Sequence, residues 1–307
     1  MVESGKLPKW WDAYILRGSI FAPKFCFSQQ FPIVYNNPMN EELTSIRPTS
    51  LMRALSKGLR DAYDHMGYVV FTTFLSFLIT SLLLSLAVLV QRKTSGQLWV
   101  VLVVLGSFAA WLCAVGVFYY VNKAVFHQHP VLTDTWRGIK TLFRPAALLF
   151  IVDFIITLVF VGDVAFFLVL MGSKGSVFII IGVLCGYLTL MWLMMAMYHL
   201  PLLIAQLSME SGPKPLVILR KSYLIMMDNP TFTVGLFLAI IAIAVLCVLP
   251  MLIGMTILFL GVAAFLLTHA LRELFIKYGI VEEETDIAQE EPWSLPESWR
   301  KRDNQDS

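Results

Sequence analysis

Residues 215–275 read PLVILRKSYLIMMDNPTFTVGLFLAIIAIAVLCVLPMLIGMTILFLGVAAFLLTHALRELF. The apolar block inside this stretch, about residues 232–271, holds no Asp, Glu, Lys or Arg. As one straight helix it would reach about 60 Å, twice the roughly 30 Å of a bilayer's hydrocarbon core. Basic residues nevertheless stand at both ends, Arg220 and Lys221 before it, Arg272 and Lys277 after it. A chain that crosses twice and folds back near Pro250 satisfies both facts, because proline cannot continue the helical hydrogen-bond ladder. A re-entrant loop would give the same sidedness.

Working outward, four more apolar stretches of spanning length appear at about residues 67–90, 98–121, 145–171 and 177–204. The composition agrees: 58% of the 307 residues are hydrophobic and 14% are charged. Soluble domains carry roughly 45–50% and about 25%. A soluble core cannot absorb that much apolar side chain, whereas a bilayer can. The expected fold is therefore an all-α polytopic membrane protein with six transmembrane helices arranged as three hairpins. Cys113, Cys185 and Cys247 fall inside spans and are expected to pack as small residues, and with Cys26 they form no CxxC pair. Lys6 and Lys9 precede Trp10 and Trp11 rather than a clean apolar core, so no cleavable signal peptide is expected.

Charge sets the orientation. Of the 23 Lys and Arg residues, 20 fall on the side that carries both termini; only Arg92, Lys93 and Lys174 fall on the other. The positive-inside rule then predicts that both termini are cytoplasmic.

Each hairpin is preceded by a basic, amphipathic segment, expected to be a cytoplasmic interfacial helix. Before span 1, Leu51, Leu55 and Leu59 make a stripe beside Arg53, Lys57 and Arg60. Before span 3, Trp136, Ile139 and Phe143 do so beside Arg137, Lys140 and Arg144, with Asp134 as a candidate cap. Before span 5 comes the segment with Arg220 and Lys221, ending at Asp228-Asn229-Pro230. The spacing predicts a repeat of about 80 residues, over 51–126, 133–207 and 215–279. Such repeats all enter from one side and so are parallel, unlike inverted transporter repeats. Linkers shaped only by the charge rule are the plainer alternative. Residues 1–50 carry Trp10, Trp11, Tyr14 and several phenylalanines among basic residues, which predicts an interfacial anchor or a partner-docking segment. Residues 280–307 are expected to be an acidic, disordered cytoplasmic tail.

The run Arg220-Lys221-Ser222-Tyr223-Leu224, then Asp228-Asn229-Pro230, then an apolar hairpin closing on His269-Ala270-Leu271-Arg272-Glu273-Leu274, resembles the YesL-like family of bacterial integral membrane proteins. The likeness covers roughly residues 50–275. The helix-plus-hairpin repeat also resembles the membrane domain attached to some bacterial glycerophosphodiesterases. The first resemblance implies a bacterial cytoplasmic membrane and an accessory role in carbohydrate uptake.

Few residues point to chemistry. Asp153 and Asp163 lie within span 3, where a carboxylate is costly and faces the bundle interior or water. Antiparallel counting puts Asp153 level with His199 and Asp163 level with Tyr187, predicting an Asp153–His199 and an Asp163–Tyr187 contact. An Asp–His pair can relay protons or bind a cation; equally, it can be a helix-locking hydrogen bond. Gly182 and Gly186 form a GxxxG, read as helix packing, with a dimer interface as the alternative. Met191, Met194, Met195 and Met197 are read as packing rather than a copper site. His127 with His129, and His269 with Glu273, lack a third ligand, so no metal is expected. No phosphate-binding loop, GxSxG, HExxH or dinucleotide fingerprint is present, and neither an enzyme nor a cofactor is expected.

The expected role is a non-enzymatic accessory or scaffold for a membrane transport or signalling system, with a permease as partner. A small-solute or ion transporter using Asp153, Asp163 and His199 is the alternative, and a sensor of anionic lipid headgroups a third. No nucleic-acid partner is expected.

Overall fold

A computed structural model describes residues 49–93, 97–126, 128–174, 176–208, 213–249 and 253–281. The N-terminal anchor, the acidic tail from residue 282, His127 and Pro250 lie outside the described residues. Among those described there is no strand. The helices are α1 (Leu51–Asp64), α2 (Met66–Lys93), α3 (Leu98–Val125), α4 (Thr133–Lys174), α5 (Ser176–Ala196), α6 (His199–Ala205), α7 (Pro215–Asp228), α8 (Pro230–Val248) and α9 (Leu260–Lys277). A π-helical turn, Met255–Phe259, leads into α9. Six of these segments are long and apolar enough to cross a membrane. The long apolar block does divide into two, Pro230–Val248 and Met255–Lys277. Nineteen residues give α8 about 28 Å, a full crossing rather than a re-entrant dip.

Local chemistry places the helix ends. The Ser50 hydroxyl accepts the Arg53 N–H at 3.3 Å and caps α1. Pro215 and Pro230 open α7 and α8, where a missing N–H costs nothing. Beyond α9, Gly279 takes φ +66°. That left-handed turn lets Ile280 N–H reach Phe275 O at 2.9 Å and Gly279 N–H reach Ile276 O at 3.0 Å.

The second amphipathic segment is not a separate helix. It runs unbroken through Pro145 into span 3, making α4 42 residues long. Asp134 does not cap α4 from its N-cap position. It sits in the first turn and accepts the Val131 N–H at 3.0 Å, as the back-reaching member of a capping box does.

The expected apolar stripes are also rotated. On α1 the buried face is Ala54, Gly58 and Ala62, while Leu59 is exposed. On the first part of α4, Leu142, Ala146 and Leu149 are fully buried, while Trp136 and Phe143 are exposed. The reason is the solvent. Lipid tails are as apolar as leucine, so a large side chain can stay outward at no cost, while a small one where helices cross lets the backbones meet.

Packing is uneven along the bundle. The largest fully buried side chains include Leu142, Tyr198, Leu203, Ile218, Leu236 and Phe265. They gather where the amphipathic segments meet the spans. The last span is 56% buried, against 11–28% for the other five. That span is the pillar of the bundle: α9 packs most closely on α1 and α3, and its entering turn packs on α2. Tyr198 and Thr233 hydroxyls lie 3.0 Å apart and tie the entry of α6 to α8.

A polar clasp closes the third unit. Asn229, buried between α7 and α8, donates to the Tyr278 hydroxyl at 2.6 Å and accepts from Lys277. Tyr278 donates to Asp228, and Lys277 lies 3.5 Å from the same carboxylate. Burial, followed by the hydrogen bond and charge of Asp228, pushes the Tyr278 hydroxyl well above the usual range. Replacing Asn229 with Ala removes two hydrogen bonds of the clasp at once and leaves Tyr278 and Lys277 held by Asp228 alone. The expected loss is about 1–3 kcal/mol, read as a lowered melting temperature in detergent; an unchanged melt would show the clasp to be dispensable.

Candidate functional site

The structure brings Asp153 and His199 together. His199 Nδ1 donates to Asp153 Oδ2 at 3.0 Å. His199 is 0% exposed and Asp153 8%. Counting from Pro145, Asp153 stands about 12 Å along α4, well inside the apolar run. The backbone places His199 there because α5 ends at Ala196 and α6 restarts at His199, so the break turns the ring back toward α4. Trp192 covers the pair: its ring meets the imidazole edge-on at 5.5 Å, and its indole N–H donates to Thr157 Oγ1 at 2.9 Å. Asp153 Oδ1 and His199 Nε2 are buried without a hydrogen-bond partner.

Asp163 and Tyr187 are not brought together. No hydrogen bond joins them, and Tyr187 is 58% exposed. Counting residues fixes height along two helices but not direction around them. The two positions share a level while their side chains diverge. The GxxxG splits likewise. A Cβ on Gly182 would stand 3.3 Å from the Phe167 Cβ, so Gly182 faces α4, while Gly186 has open space, as does Gly162 on α4.

Tighter small-residue contacts than that of Gly182 lie elsewhere. A Cβ on Gly116 would meet Thr135 O at 2.9 Å, and one on Gly138 would meet the Tyr119 ring at 2.5 Å. These two glycines let α3 and α4 touch reciprocally near their basic ends. Neither sits in a GxxxG, so only the three-dimensional crossing reveals them.

A second His–Asp pair was not legible from spacing. His269 Nε2 donates to Asp61 Oδ2 at 2.7 Å, and Arg53 reaches Glu273 at 3.9 Å. The i, i+4 pair His269 and Glu273 thus faces α1 and pins it to α9 at two points. Charge alternation on α1, Arg53 then Asp61 at i+8, is the signal that could have found it. Among the described residues no group of three or more His, Cys, Asp or Glu could hold one metal ion.

The interfacial cations differ in their surroundings. Lys57 and Arg60 are exposed on α1. Arg137 stands 3.7 Å and Lys123 3.0 Å from the buried Asp134 carboxylate. Lys140 lies 5.3 Å from the Trp136 ring centre, and Arg144 is exposed. Arg220 is exposed on α7, whereas burial holds the Lys221 amine below its ordinary range. The methionines pack: Met195 joins Trp192 and Met226, with Met191 and Met194 against them.

Two cavities stand out. One, of about 640 Å³, is lined by Lys140, Arg144 and their neighbours; the other, of about 440 Å³, is an apolar groove between α3 and α4. Neither includes Asp153 or His199. No family model, curated protein or solved structure matches the chain.

Proposed function

We propose that this chain is a non-enzymatic accessory of a multi-pass membrane system, packing laterally against another membrane protein. The expected class of partner is a transport permease or signalling protein. One observation carries the reading: among the described residues, Asp163, Tyr187, Gly162 and Gly186 stand on the loosely packed outer half of the α4–α5 hairpin with no hydrogen-bond or packing partner assigned to them. A carboxyl and a phenol without partners are costly within a bilayer, and glycines there invite a close helix. A helix from another protein answers all four.

The charge distribution supports cytoplasmic termini. A bacterial cytoplasmic membrane is the location that the YesL-like resemblance implies. Each amphipathic segment buries at least one small residue, Gly58, Gly138 and Ser222 among them, in keeping with the threefold repeat.

A photocrosslinking amino acid at Val183, exposed beside this face, tests the proposal in native membranes. The expected result is one discrete adduct with a second membrane protein, lost in Gly186→Leu while the melting temperature holds. No adduct, adducts with this chain alone, or an adduct indifferent to Gly186→Leu would overturn it.

The transporter reading draws on a different observation, the buried and unpartnered Asp153 Oδ1 and His199 Nε2. It predicts proton or cation flux in proteoliposomes that Asp153→Asn abolishes. Tight wild-type vesicles would remove it.

A further inference from the structure

Between the basic end of α4 and the connection from α6 to α7 lies an open groove of about 640 Å³. Its polar side is Lys140, Thr141 and Arg144; its apolar side includes Phe143, Leu148 and Leu207. Among the described residues no acid lines it. The nearest acid along α4, Asp134, is already held by Lys123 and Arg137. Among the described residues neither Lys140 nor Arg144 makes an ion pair, and Lys140 lies over the Trp136 ring. The next charged residue along α4 after Arg144 is Asp153, so the groove straddles the boundary between headgroup and hydrocarbon levels. Beyond it, exposed Leu148 and Ile155 continue the same face of α4 into the apolar run.

We infer that this groove binds an anionic phospholipid, its phosphate between Lys140 and Arg144 and one acyl chain along Leu148 and Ile155. A guanidinium presents two parallel donors to a phosphate, and the lysine adds a point charge. Basic pockets at the cytoplasmic ends of spans suit anionic headgroups for this reason. The volume lies within the roughly 300–1,000 Å³ of ordinary ligand sites. A free phosphate would use the cations and leave the apolar wall empty. A zwitterionic lipid would fill the wall and bring its own cation against Lys140 and Arg144. Only an anionic lipid uses both halves. The inference is independent of lateral docking on the α4–α5 hairpin.

Native mass spectrometry of the delipidated full chain in detergent, titrated with phosphatidylglycerol or phosphatidylcholine, tests it. The wild type should retain phosphatidylglycerol preferentially. Lys140→Gln with Arg144→Gln should weaken that binding about 30-fold, since each cation near the surface contributes about one five-fold step. Arg144→Lys should keep most of it. Leu148→Ser should weaken the long-chain lipid, and glycerol 3-phosphate should not compete at concentrations that saturate the lipid. If the double variant fails to purify as a single species, Lys140→Gln alone should show about a five-fold loss. Equal retention of both lipids, or phosphatidylglycerol binding unaltered by loss of the cations, would overturn the site. Displacement by glycerol 3-phosphate would overturn the lipid assignment in favour of a soluble phosphate ester.

Discussion

His199→Ala should destabilise the protein by about 3–5 kcal/mol, because it leaves a buried carboxyl facing apolar side chains with no partner. Asp153 lies 8% exposed, and among the described residues its carboxyl has one hydrogen bond, to His199 Nδ1. The measurement is a melt in detergent. The double variant Asp153→Leu with His199→Leu should recover most of the loss, since apolar replacement of a buried pair is often neutral. A double variant as unstable as His199→Ala would mean that the pair also organises its surroundings, through Trp192 and α6. An unaffected His199→Ala would mean that the hydrogen bond carries no weight in the fold.

Gly261→Leu is the second large effect. Gly261 opens α9 where it crosses α2, and a Cβ there would stand 2.7 Å from Val69 Cγ1 and 3.1 Å from Val69 Cα. A side-chain end could swing aside; the Val69 backbone cannot. Gly261 N–H also donates to Thr73 Oγ1 at 3.1 Å, so separating the helices breaks a buried hydrogen bond. The expected cost is at or above the top of the about 1–3 kcal/mol seen for overpacking. Gly186→Leu is the matched control. A Cβ there meets nothing within 4 Å, so its effect on stability should stay within about 0.5 kcal/mol. A melt that ranks the two variants the other way would contradict the crossing. This contrast also separates folding from docking, since Gly186→Leu is expected to abolish only the latter.

The two His–Asp pairs show where reading along the chain stops. Asp153 and His199 are 46 positions apart, joined by an antiparallel hairpin whose turn the sequence marks. Counting inward from the basic ends of the two spans, near Pro145 and Ile204, was enough to bring them level. Asp61 and His269 are 208 positions apart, in the first and last described helices. No count spans that gap, because the packing of α1 on α9 depends on every helix between them. The Asp163–Tyr187 expectation used the same counting as the first pair and met a different outcome. Counting fixes height along a helix and leaves rotation about its axis open, and Tyr187 points outward, 58% exposed.

Sequence alone determined the class, the number of crossings and the boundaries of most spans. A bilayer imposes a length and an apolar content that show in one dimension. Capping serine, opening prolines and the closing glycine also act within a few residues. Tertiary structure alone decided which faces turn inward. In water the apolar stripe marks the core; in lipid that contrast vanishes and Leu59, Trp136 and Phe143 lie outward. Close approach then selects Gly58, Gly116, Gly138 and Gly261, whose role exists only where another helix crosses them.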